Sequence, residues 1–333
     1  MCLERPATNS SNFPSLTLIV TNKNTFCIIK SYRKSYDSYM PVLAIDIGAT
    51  KFAASIITDS AEVVHHREIP SSQLWDGLSD LLLKTRQDTN EEISRIGIGS
   101  AGPVNTKTGL ISPVNIPGWR NFPLIPRIQE LFPSTEIAMV GDAVALAVAE
   151  HAIGAGKGSR NMLGMVISTG IGGGVIVENK PLLGDYGNAG FFGHNVVGDY
   201  DGKCNCGRKG CIEGYSSGPS MVRFANGLGW QGDDFRDLAN DATSGDACAI
   251  KAIDFGVEHL AKAIVNITQL FDLHHVVVGG GVIEAGEIYW KPLENALASH
   301  STSLNLVEPI KLLRAQLQRD AGLIGAAMVV GLE

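Results

Sequence analysis

The chain has 333 residues, of which 44% are hydrophobic and 18% charged, and it carries a formal net charge of −7. This length and composition predict a globular protein of two lobes with roughly 150 residues each, and the acidic balance is the opposite of the basic surface of nucleic-acid binders. No apolar run reaches the roughly 18 residues of a membrane span, and none near the N-terminus is long enough for a signal-peptide core, so we expect a cytoplasmic protein with neither nucleic-acid nor membrane partners.

Residues 1–39 differ in composition from the rest of the chain. They are rich in Ser, Asn and Thr, whereas Met40 opens the strand-like run MPVLAIDIGATKFAASIIT. We interpret residues 1–39 as a disordered extension or as the product of a start placed too early in the gene, with Met40 as the natural start. An added strand on the first lobe is the alternative. We expect residues 40–150 to form the first lobe and residues 151–333 the second, with the last helix returning to the first lobe.

From residue 40 onward, strand-like and helix-like patterns alternate. The first half predicts a strand at VLAIDIG with a hairpin partner at KFAASIIT, a helix at SQLWDGLSDLLLKTRQ, a strand at ISRIGIGSAGPV, a short helix at PRIQELFP, a strand at TEIAMVGD and a helix at AVALAVAEHAIGAG. The second half predicts a glycine-hinged hairpin in NMLGMVISTGIGGGVIVENKPLLG, a long helix at DACAIKAIDFGVEHLAKAIVNITQLF, a buried strand at HHVVVGGGV and a small-residue helix at AGLIGAAMVVG. Such alternation predicts an α/β fold.

Three glycine-rich turns follow apolar strands. They are DIGATK at 46–51, STGIGGG at 168–174 and GGGV at 279–282. Glycine lets the backbone approach a phosphate group closely, and the exposed N–H groups then hold it. The first turn matches neither the G-x-G-x-x-G dinucleotide pattern nor the P-loop. Turns of this kind in both halves of the chain indicate a nucleotide held between two lobes, and three ordinary hairpin turns are the alternative.

Two aspartates stand at the ends of predicted strands. Asp46 is followed by Thr50 and Lys51, which suits a carboxylate that holds Mg²⁺ through water and a hydroxyl that bonds a phosphate. Asp142 lies in MVGDAVALA, directly before a helix. An aspartate there is either the N-cap of the helix or a general base at the mouth of a cleft, and the spacing alone leaves both roles open.

A histidine precedes a tight cluster of three of the six cysteines. His194, Cys204, Cys206 and Cys211 have the spacing H-x9-C-x-C-x4-C. In a reducing compartment this pattern predicts a metal site, and three thiolates with one imidazole make a closed tetrahedral shell for zinc. A closed shell leaves no position for an activated water, so the zinc would be structural. Three unbound buried cysteines are the alternative.

Taken in order, these motifs resemble those of the ROK family of sugar kinases over residues 40–333. The matching segments are AIDIGATK, GIGSAGPV, NIPGW, STGIGGGV, GH with CNCGRKGCIEGYSSG, and VVVGGGV. Within the family, AIDIGATKFAASI, VISTGIGGGV and RDAGLIGAA are most similar to bacterial N-acetylmannosamine kinases. The resemblance implies an actin-like ATPase (ribonuclease H-like) fold of two lobes with a cleft between them. It also implies a homodimer and phosphoryl transfer from ATP, with Mg²⁺, to a sugar 6-hydroxyl.

The resemblance also implies roles for individual residues. Asp142 matches the catalytic base of the family. The nucleotide-binding positions match Asp46, Gly48, Thr50, Lys51, Thr169, Gly170 and Gly172, with Gly280 and Gly281 near the adenosine. The sugar-facing positions of the family correspond to Gly102, Asn115, Asp142, Phe191, His194 and Glu213. His194 matches a residue that both binds zinc and faces the sugar, so that the zinc would orient the sugar loop.

Three segments depart from the family pattern, at Gly141 and Val144, at Phe191 and at Ala49. The family usually has Asn-Asp-Ala-Asn where this chain has Gly141–Val144, Glu where it has Phe191, and Gly where it has Ala49. The first two changes remove polar groups that would hold sugar hydroxyls, at a cost on the order of 1–3 kcal/mol for each buried hydrogen bond. Phe191 would instead offer an apolar wall that suits the methyl group of an N-acetyl substituent.

Three hypotheses about function follow. The first is an N-acetylmannosamine kinase that makes the 6-phosphate in sialic acid catabolism. The second is a ROK kinase for another hexose, such as glucose, N-acetylglucosamine or mannose. The third is a catalytically weak sugar-binding or regulatory protein. The retained Asp142 and the three glycine turns favour an enzyme, whereas the changes at Gly141 and Phe191 favour the binding protein.

Overall fold

The structure is a computed structural model that describes residues 41–89, 92–302 and 308–331. The predictions for residues 1–39 and for the start at Met40 lie outside the described residues. The strands in chain order are β1 (Val42–Ile47), β2 (Lys51–Ile57), β3 (Val63–Pro70), β4 (Arg95–Ser100), β5 (Val104–Asn105), β6 (Leu110–Ile111), β7 (Glu136–Gly141), β8 (Met162–Ile167), β9 (Ile171–Val177), β10 (Lys180–Pro181), β11 (His275–Gly279) and β12 (Lys311–Arg314). The helices are α1 (Leu74–Gln87), α2 (Leu124–Leu131), α3 (Asp142–Ala152), α4 (Glu213–Ser216), α5 (Gly218–Gly227), α6 (Phe235–Thr243), α7 (Ala247–Phe271), α8 (Glu287–Thr302) and α9 (Ala321–Met328).

The first sheet has five strands in the order β3-β2-β1-β4-β7. Strand β1 pairs antiparallel with β2 and parallel with β4, and β4 pairs parallel with β7. The register places Ile47 opposite Ser100, and Ser100 opposite Gly141. The carboxyl ends of these three strands therefore meet at one edge, which is where ligands bind in sheets of this kind. The turns that follow β1 and β4, and the first residue of α3, converge there.

The second sheet has five strands in the order β10-β9-β8-β11-β12. Strand β8 pairs antiparallel with β9, and β11 runs parallel to both β8 and β12. Because Gly279 at the end of β11 lies opposite Val166 near the end of β8, the turns after these two strands are neighbours. The long helix α7 packs with α8 and with α4–α6, and it contributes to the apolar core of this lobe.

Helix α3 packs against β8 and β9, and α9 packs against α3, β1 and β4. Glycines in the strands allow this close approach. A Cβ atom on Gly174 would lie 2.7 Å from Val144 Cα, and one on Gly164 would lie 2.6 Å from Ala147 Cβ. The sequence predicts a turn over residues 168–174, but β9 already begins at Ile171. Glycines 172–174 are therefore strand residues. Gly172 and Gly174 allow the helix that begins with Asp142 to lie close to the sheet, whereas a Cβ atom on Gly173 would lie 2.5 Å from the ring of Phe192.

Two of the elements that the sequence did not indicate, β3 and α8, have a local reason. Strand β3, with the sequence VVHHREIP, lies at a sheet edge and is largely exposed, so it lacks an apolar run. Helix α8 contains Pro292, and a proline usually ends a helix.

Among the helices of the described residues, none is both long enough and apolar enough to cross a membrane.

Candidate functional site

A cleft of about 340 Å³ lies where the turns of the two sheets face each other, and its volume is typical of a site for a small molecule. The structure brings most of the predicted site residues into its lining: Asp46, Gly48, Thr50, Lys51, Gly102, Asn115, Asp142, Thr169, Gly170, Gly172, Phe191, His194, Glu213 and Gly280. Gly281 is not part of the lining. The chain turns back toward β8 there, and the N–H of Val282 donates to the carbonyl of Ile167 at 3.1 Å.

Asp142 is the first residue of α3, and Gly141 occupies the N-cap position. The interpretation of Asp142 as the N-cap was therefore wrong by one residue. Its Oδ1 accepts a hydrogen bond from the N–H of Ala143 at 2.7 Å, which holds the carboxylate against the start of the helix. The side chain reaches solvent inside the cleft but is surrounded by protein. This burial raises the pKa of Asp142, and the hydrogen bond from Ala143 offsets part of the rise.

Asp46 is the second carboxylate in the cleft wall. Burial, and then the negative charge of Asp142, raise the pKa of Asp46 from 3.8 to about 7, while the positive charge of Lys51 acts in the opposite direction. The Nζ of Lys51 itself pairs with Glu68 of β3. Two carboxylates that repel each other at one end of a cleft favour a cation between or beside them, because a cation lowers the cost of ionising both.

The raised pKa of Asp46 has a consequence for stability. In the unfolded chain its pKa returns to about 3.8, so between roughly pH 4 and pH 7 the unfolded state releases a proton that the folded state keeps. Ionised Asp46 therefore destabilises the folded protein above pH 7. We expect Asp46→Asn to raise the Tm by roughly 5 °C at pH 8 and by progressively less as the pH falls below 7.

Calorimetry without nucleotide or Mg²⁺ would measure this effect. Asp59→Asn, at an exposed position just after β2, is the matched control and should leave the Tm unchanged across the same pH range. A gain in Tm for Asp46→Asn that stays constant from pH 4 to pH 8 would contradict the assignment, because it would not follow the titration of this group.

Turn 168–170 connects β8 to β9 and contacts Glu213 of α4. The Oε2 of Glu213 accepts a hydrogen bond from the N–H of Ile171 at 3.0 Å. A Cβ atom on Gly170 would lie 2.7 Å from the same oxygen, so a larger residue there would displace the Glu213 carboxylate. The other carboxylate oxygen of Glu213 lies 3.5 Å from the Sγ of Cys204. Glu213 thus links the glycine turn of β8–β9 to the cysteine cluster.

Phe191 forms part of the cleft wall on the side of Gly102 and His194. Its side chain is 39% exposed, and its ring centroid lies 4.6 Å from that of His194. A Cβ atom on Gly102 would lie 3.0 Å from the Phe191 ring. Asn188 fixes the loop that carries Phe191, because its carboxamide bonds both the N–H and the carbonyl of Val104, at 2.8 and 2.7 Å.

The predicted zinc ligands lie together. The Nδ1 of His194 is 3.3 Å from the Sγ of Cys204, which is 3.3 Å from the Sγ of Cys206, and that atom is 3.6 Å from the Sγ of Cys211. All four ligand atoms lie within 4.8 Å of one another. A tetrahedral zinc with bonds of about 2.3 Å to sulfur separates its ligand atoms by about 3.8 Å. The residues present therefore fit a zinc ion with only small movements of their side chains.

Burial shifts the pKa values of three of the four predicted zinc ligands toward their neutral forms. Burial lowers the pKa of His194, so the neutral imidazole that can bind a metal is favoured. Burial also raises the pKa of the Cys204 and Cys211 thiols. A metal that binds thiolates would displace these protons, so its affinity would increase with pH.

The turn before α9 belongs to the cleft, although the sequence did not indicate a role for it. Gln318 and Arg319 line the cleft on the side of Gly280. The buried carboxylate of Glu150 holds this turn, because it accepts hydrogen bonds from the N–H groups of Leu317 at 2.7 Å and Ala155 at 2.8 Å. The segment RDAGLIGAA contained the signal, but only as a family motif without a role for its arginine.

Comparison with known proteins gave three kinds of match. The model of the ROK family matches residues 42–332. The chain is 34% identical over 294 residues to the N-acetylmannosamine kinase of Citrobacter koseri, covering 87% of this chain and 98% of that protein. A solved structure of a ROK family glucokinase from Streptomyces griseus, in complex with glucose and AMPPNP, is 27% identical, with a TM-score of 0.76 over 87% of this chain and 99% of that one.

A further solved structure, the ROK hexokinase from Thermus thermophilus, is 31% identical with a TM-score of 0.77 over 87% of this chain and 98% of that one. Kinases of this kind have the actin-like ATPase fold in two lobes. The fold class predicted from the sequence is therefore confirmed. In this chain, each lobe contains one of the two five-stranded sheets, and the cleft lies between the turns of the sheets.

Proposed function

Because the chain belongs to the ROK family, as its motifs predicted, we propose that it is an ATP-dependent kinase that phosphorylates the 6-hydroxyl of N-acetylmannosamine. The observation that carries this proposal is the position of Asp142 in the cleft wall, with glycine turns from both sheets lining the same cleft. The choice of sugar is supported by relatives at 34–35% identity that are N-acetylmannosamine kinases. The 6-phosphate would serve sialic acid catabolism.

Asp142 is the proposed general base. The oxygen of the sugar 6-hydroxyl bonds to the γ-phosphorus of ATP, the bond from that phosphorus to the bridging oxygen breaks, and ADP leaves. The hydroxyl proton passes to the carboxylate of Asp142. Its raised pKa suits this role, because a base works best when its pKa is close to the operating pH. Such reactions need mainly positioning and stabilisation of charge.

The nucleotide end of the cleft would be formed by the glycine turns. Gly48 and Thr50 after β1, and Thr169 and Gly170 after β8, line the cleft with backbone N–H groups and hydroxyls that suit phosphate oxygens. Asp46 would hold Mg²⁺, directly or through water, and the repulsion between its carboxylate and that of Asp142 favours such an ion. When bound, Mg²⁺ neutralises charge on the phosphates.

The sugar end would be formed by polar and apolar groups together. Asn115, His194 and Glu213 supply hydrogen-bonding groups in the cleft lining. Phe191 supplies an apolar surface beside Gly102 that suits a methyl group, such as that of an N-acetyl substituent. At position 141 the backbone has room for a side chain, since a Cβ atom would meet nothing closer than Val144 at 3.7 Å, an ordinary van der Waals contact.

The zinc ion would be held by His194, Cys204, Cys206 and Cys211. It would supply rigidity and take no part in the reaction, because four protein ligands complete its tetrahedral shell. Through His194, and through Glu213 beside Cys204, it would keep two groups of the sugar end in place. By the family resemblance we also infer a homodimer, which light scattering of the purified protein would test.

A coupled assay of ADP release would test the proposed function. The protein, with ATP and Mg²⁺, would be assayed against N-acetylmannosamine, N-acetylglucosamine, glucose, mannose and fructose. We expect turnover to be highest with N-acetylmannosamine. Preference for glucose would instead place the chain with the ROK glucokinases. No turnover with any sugar, in folded protein that holds zinc, would favour a sugar-binding protein.

Phe191→Ala should reveal the contribution of the apolar wall. We expect kcat/KM for N-acetylmannosamine to fall roughly tenfold and that for mannose to change much less, because one methyl contact is worth roughly 1–3 kcal/mol. Tyr186→Ala, which removes a 55%-exposed aromatic ring from the same loop, is the matched control. An equal fall for both sugars in Phe191→Ala would mean that the ring supports the loop without recognising the acetyl group.

A further inference from the structure

A hydrogen bond between two asparagine side chains joins the two lobes at the sugar end of the cleft. The Nδ2 of Asn205 donates to the Oδ1 of Asn115 at 2.7 Å. Asn205 stands between Cys204 and Cys206 in the second lobe, whereas Asn115 lies in the segment between β6 and α2 in the first lobe. Asn115 lines the cleft, and Asn205 is not among the lining residues. Asn205 therefore contacts Asn115, a residue of the sugar end, without lining the cleft itself.

The backbone on both sides of Asn115 is fixed within the first lobe. Arg120 holds the segment, since its guanidinium donates hydrogen bonds to the carbonyls of Pro113 (2.6 Å), Ile116 (3.1 Å), Trp119 (3.0 Å) and Val114 (3.4 Å). The ring of Trp119 is stacked between those of Phe52 and Phe122, with centroid distances of 5.0 and 4.3 Å. With its backbone held, Asn115 can change only the rotation of its side chain.

The backbone of Asn205 is held in a turn on its own side of the cleft. The N–H of Gly207 donates to the carbonyl of Cys204 at 3.0 Å, which closes a tight turn with Asn205 inside it. The flanking side chains of Cys204 and Cys206 both point into the cysteine cluster, with their sulfur atoms 3.3 Å apart. The Asn205 side chain is exposed and extends away from the turn toward the first lobe.

A carboxamide has one end that accepts hydrogen bonds and one that donates them. The oxygen end of Asn115 is engaged by Asn205, so its NH₂ group is the end left for a ligand. We propose that Asn205 is a positioning residue that fixes the orientation of the Asn115 carboxamide, so that Asn115 donates a hydrogen bond to an oxygen of the sugar. This proposal rests on the proposed function of the cleft as a sugar site.

Kinetics of two variants at position 205 would test the proposal. Asn205→Ala frees the Asn115 carboxamide, so we expect the KM for the sugar to rise roughly fivefold, with kcat and the KM for ATP within twofold of wild type. Asn205→Asp offers only acceptors and should turn the NH₂ of Asn115 away from the cleft, which should raise the sugar KM further, by roughly tenfold or more. The measurements would use the sugar on which the wild type is most active.

Lys209→Ala is the matched control, because Lys209 lies in the same turn region and pairs with Asp201 at the surface. It should leave all kinetic constants unchanged. In the background of Asn115→Ala, the further change Asn205→Ala should have no effect on the sugar KM. Equal effects of Asn205→Ala with and without Asn115, or a parallel rise in the KM for ATP, would overturn the positioning role.

A second measurement does not depend on the proposed function. In protein labelled with ¹⁵N at asparagine, the side-chain NH₂ signal of Asn205 can be assigned from its loss in Asn205→Ala. We expect this signal to shift in Asn115→Ala, because its hydrogen-bond acceptor is removed, and to stay in place in Lys209→Ala. An unchanged signal in Asn115→Ala would overturn the hydrogen bond, whatever sugar the protein binds. Failure of the sugar assay alone would instead overturn the proposed function.

Discussion

Asp142→Asn should lower kcat by at least about a hundredfold and leave the Kd for the sugar little changed. The substitution keeps the size of the side chain and an oxygen that can accept the hydrogen bond from the N–H of Ala143, at 2.7 Å in the structure. It removes only the group that takes the hydroxyl proton. Steady-state kinetics would measure kcat, and calorimetric titration would measure the Kd.

The same variant should change the neighbouring carboxylate. The negative charge of Asp142 is the second largest cause of the raised pKa of Asp46. Asp142→Asn should therefore bring the pKa of Asp46 down from about 7, which carbon NMR of labelled aspartate would detect. Asp59→Asn, an isosteric change at an exposed site, should leave both kcat and this pKa unaltered. A variant Asp142→Asn with nearly normal kcat would refute the assignment of the base.

The pH dependence of the wild type follows from the same two groups. The base must be ionised to accept a proton, and burial raises the pKa of Asp142. As the pH falls, kcat/KM should therefore decline at a higher pH than the ordinary aspartate value of 3.8 would give. Because the two carboxylates interact, the apparent pKa belongs to the pair.

Removal of zinc should have the second large effect. A site that holds zinc a thousandfold above its Kd stabilises the fold by about 4 kcal/mol, which corresponds to a fall in Tm of roughly 10 °C when the metal is removed. The predicted ligands connect His194 to the segment 204–211. Removal of zinc should therefore first destabilise residues 194–211. We expect one zinc per chain by elemental analysis, and a matching fall in Tm on treatment with a strong chelator.

Single substitutions would show whether zinc binding depends on the cysteines of the cluster and not on Cys248, the other described cysteine. Cys206→Ser should abolish zinc binding and reproduce the effect of the chelator. Cys248→Ser is the matched control, because Cys248 lies at the start of α7, where its Sγ contacts the carbonyl of Leu228 at 3.4 Å. It should retain one zinc per chain. Protein that contains no zinc and keeps its Tm in the presence of chelator would contradict the zinc site.

Much of the candidate site could be predicted because its parts are local in the sequence. The turn after β1, the turn between β8 and β9, and the cysteine cluster are each contained in short segments whose residue types are chosen by local chemistry. Asn188 and Asn205 could not be found in this way. Their roles depend on partners in the other lobe, Val104 and Asn115, which no local pattern identifies.

The fold shows the same division. Apolar runs predicted β1, α3 and α7, because burial of one face or of a whole strand requires apolar residues at regular positions in the sequence. Strand β3 has no such apolar pattern, since at a sheet edge its side chains meet water and need not be apolar. Glycines 172–174 were assigned to a turn because glycine is common there, and only the packing of α3 on β9 reveals that Gly172 and Gly174 allow a close approach.

The sequence by itself determined the α/β class, the family and the residue types that can hold phosphates, a sugar and a metal, because these depend on short-range patterns and on chemistry that each residue carries with it. The tertiary structure alone decided which of these residues meet. The pKa of Asp46 is set by burial and by Asp142, and the orientation of the Asn115 carboxamide by Asn205. Electrostatic and hydrogen-bond energies depend on distance in space, and folding, not position along the chain, sets that distance.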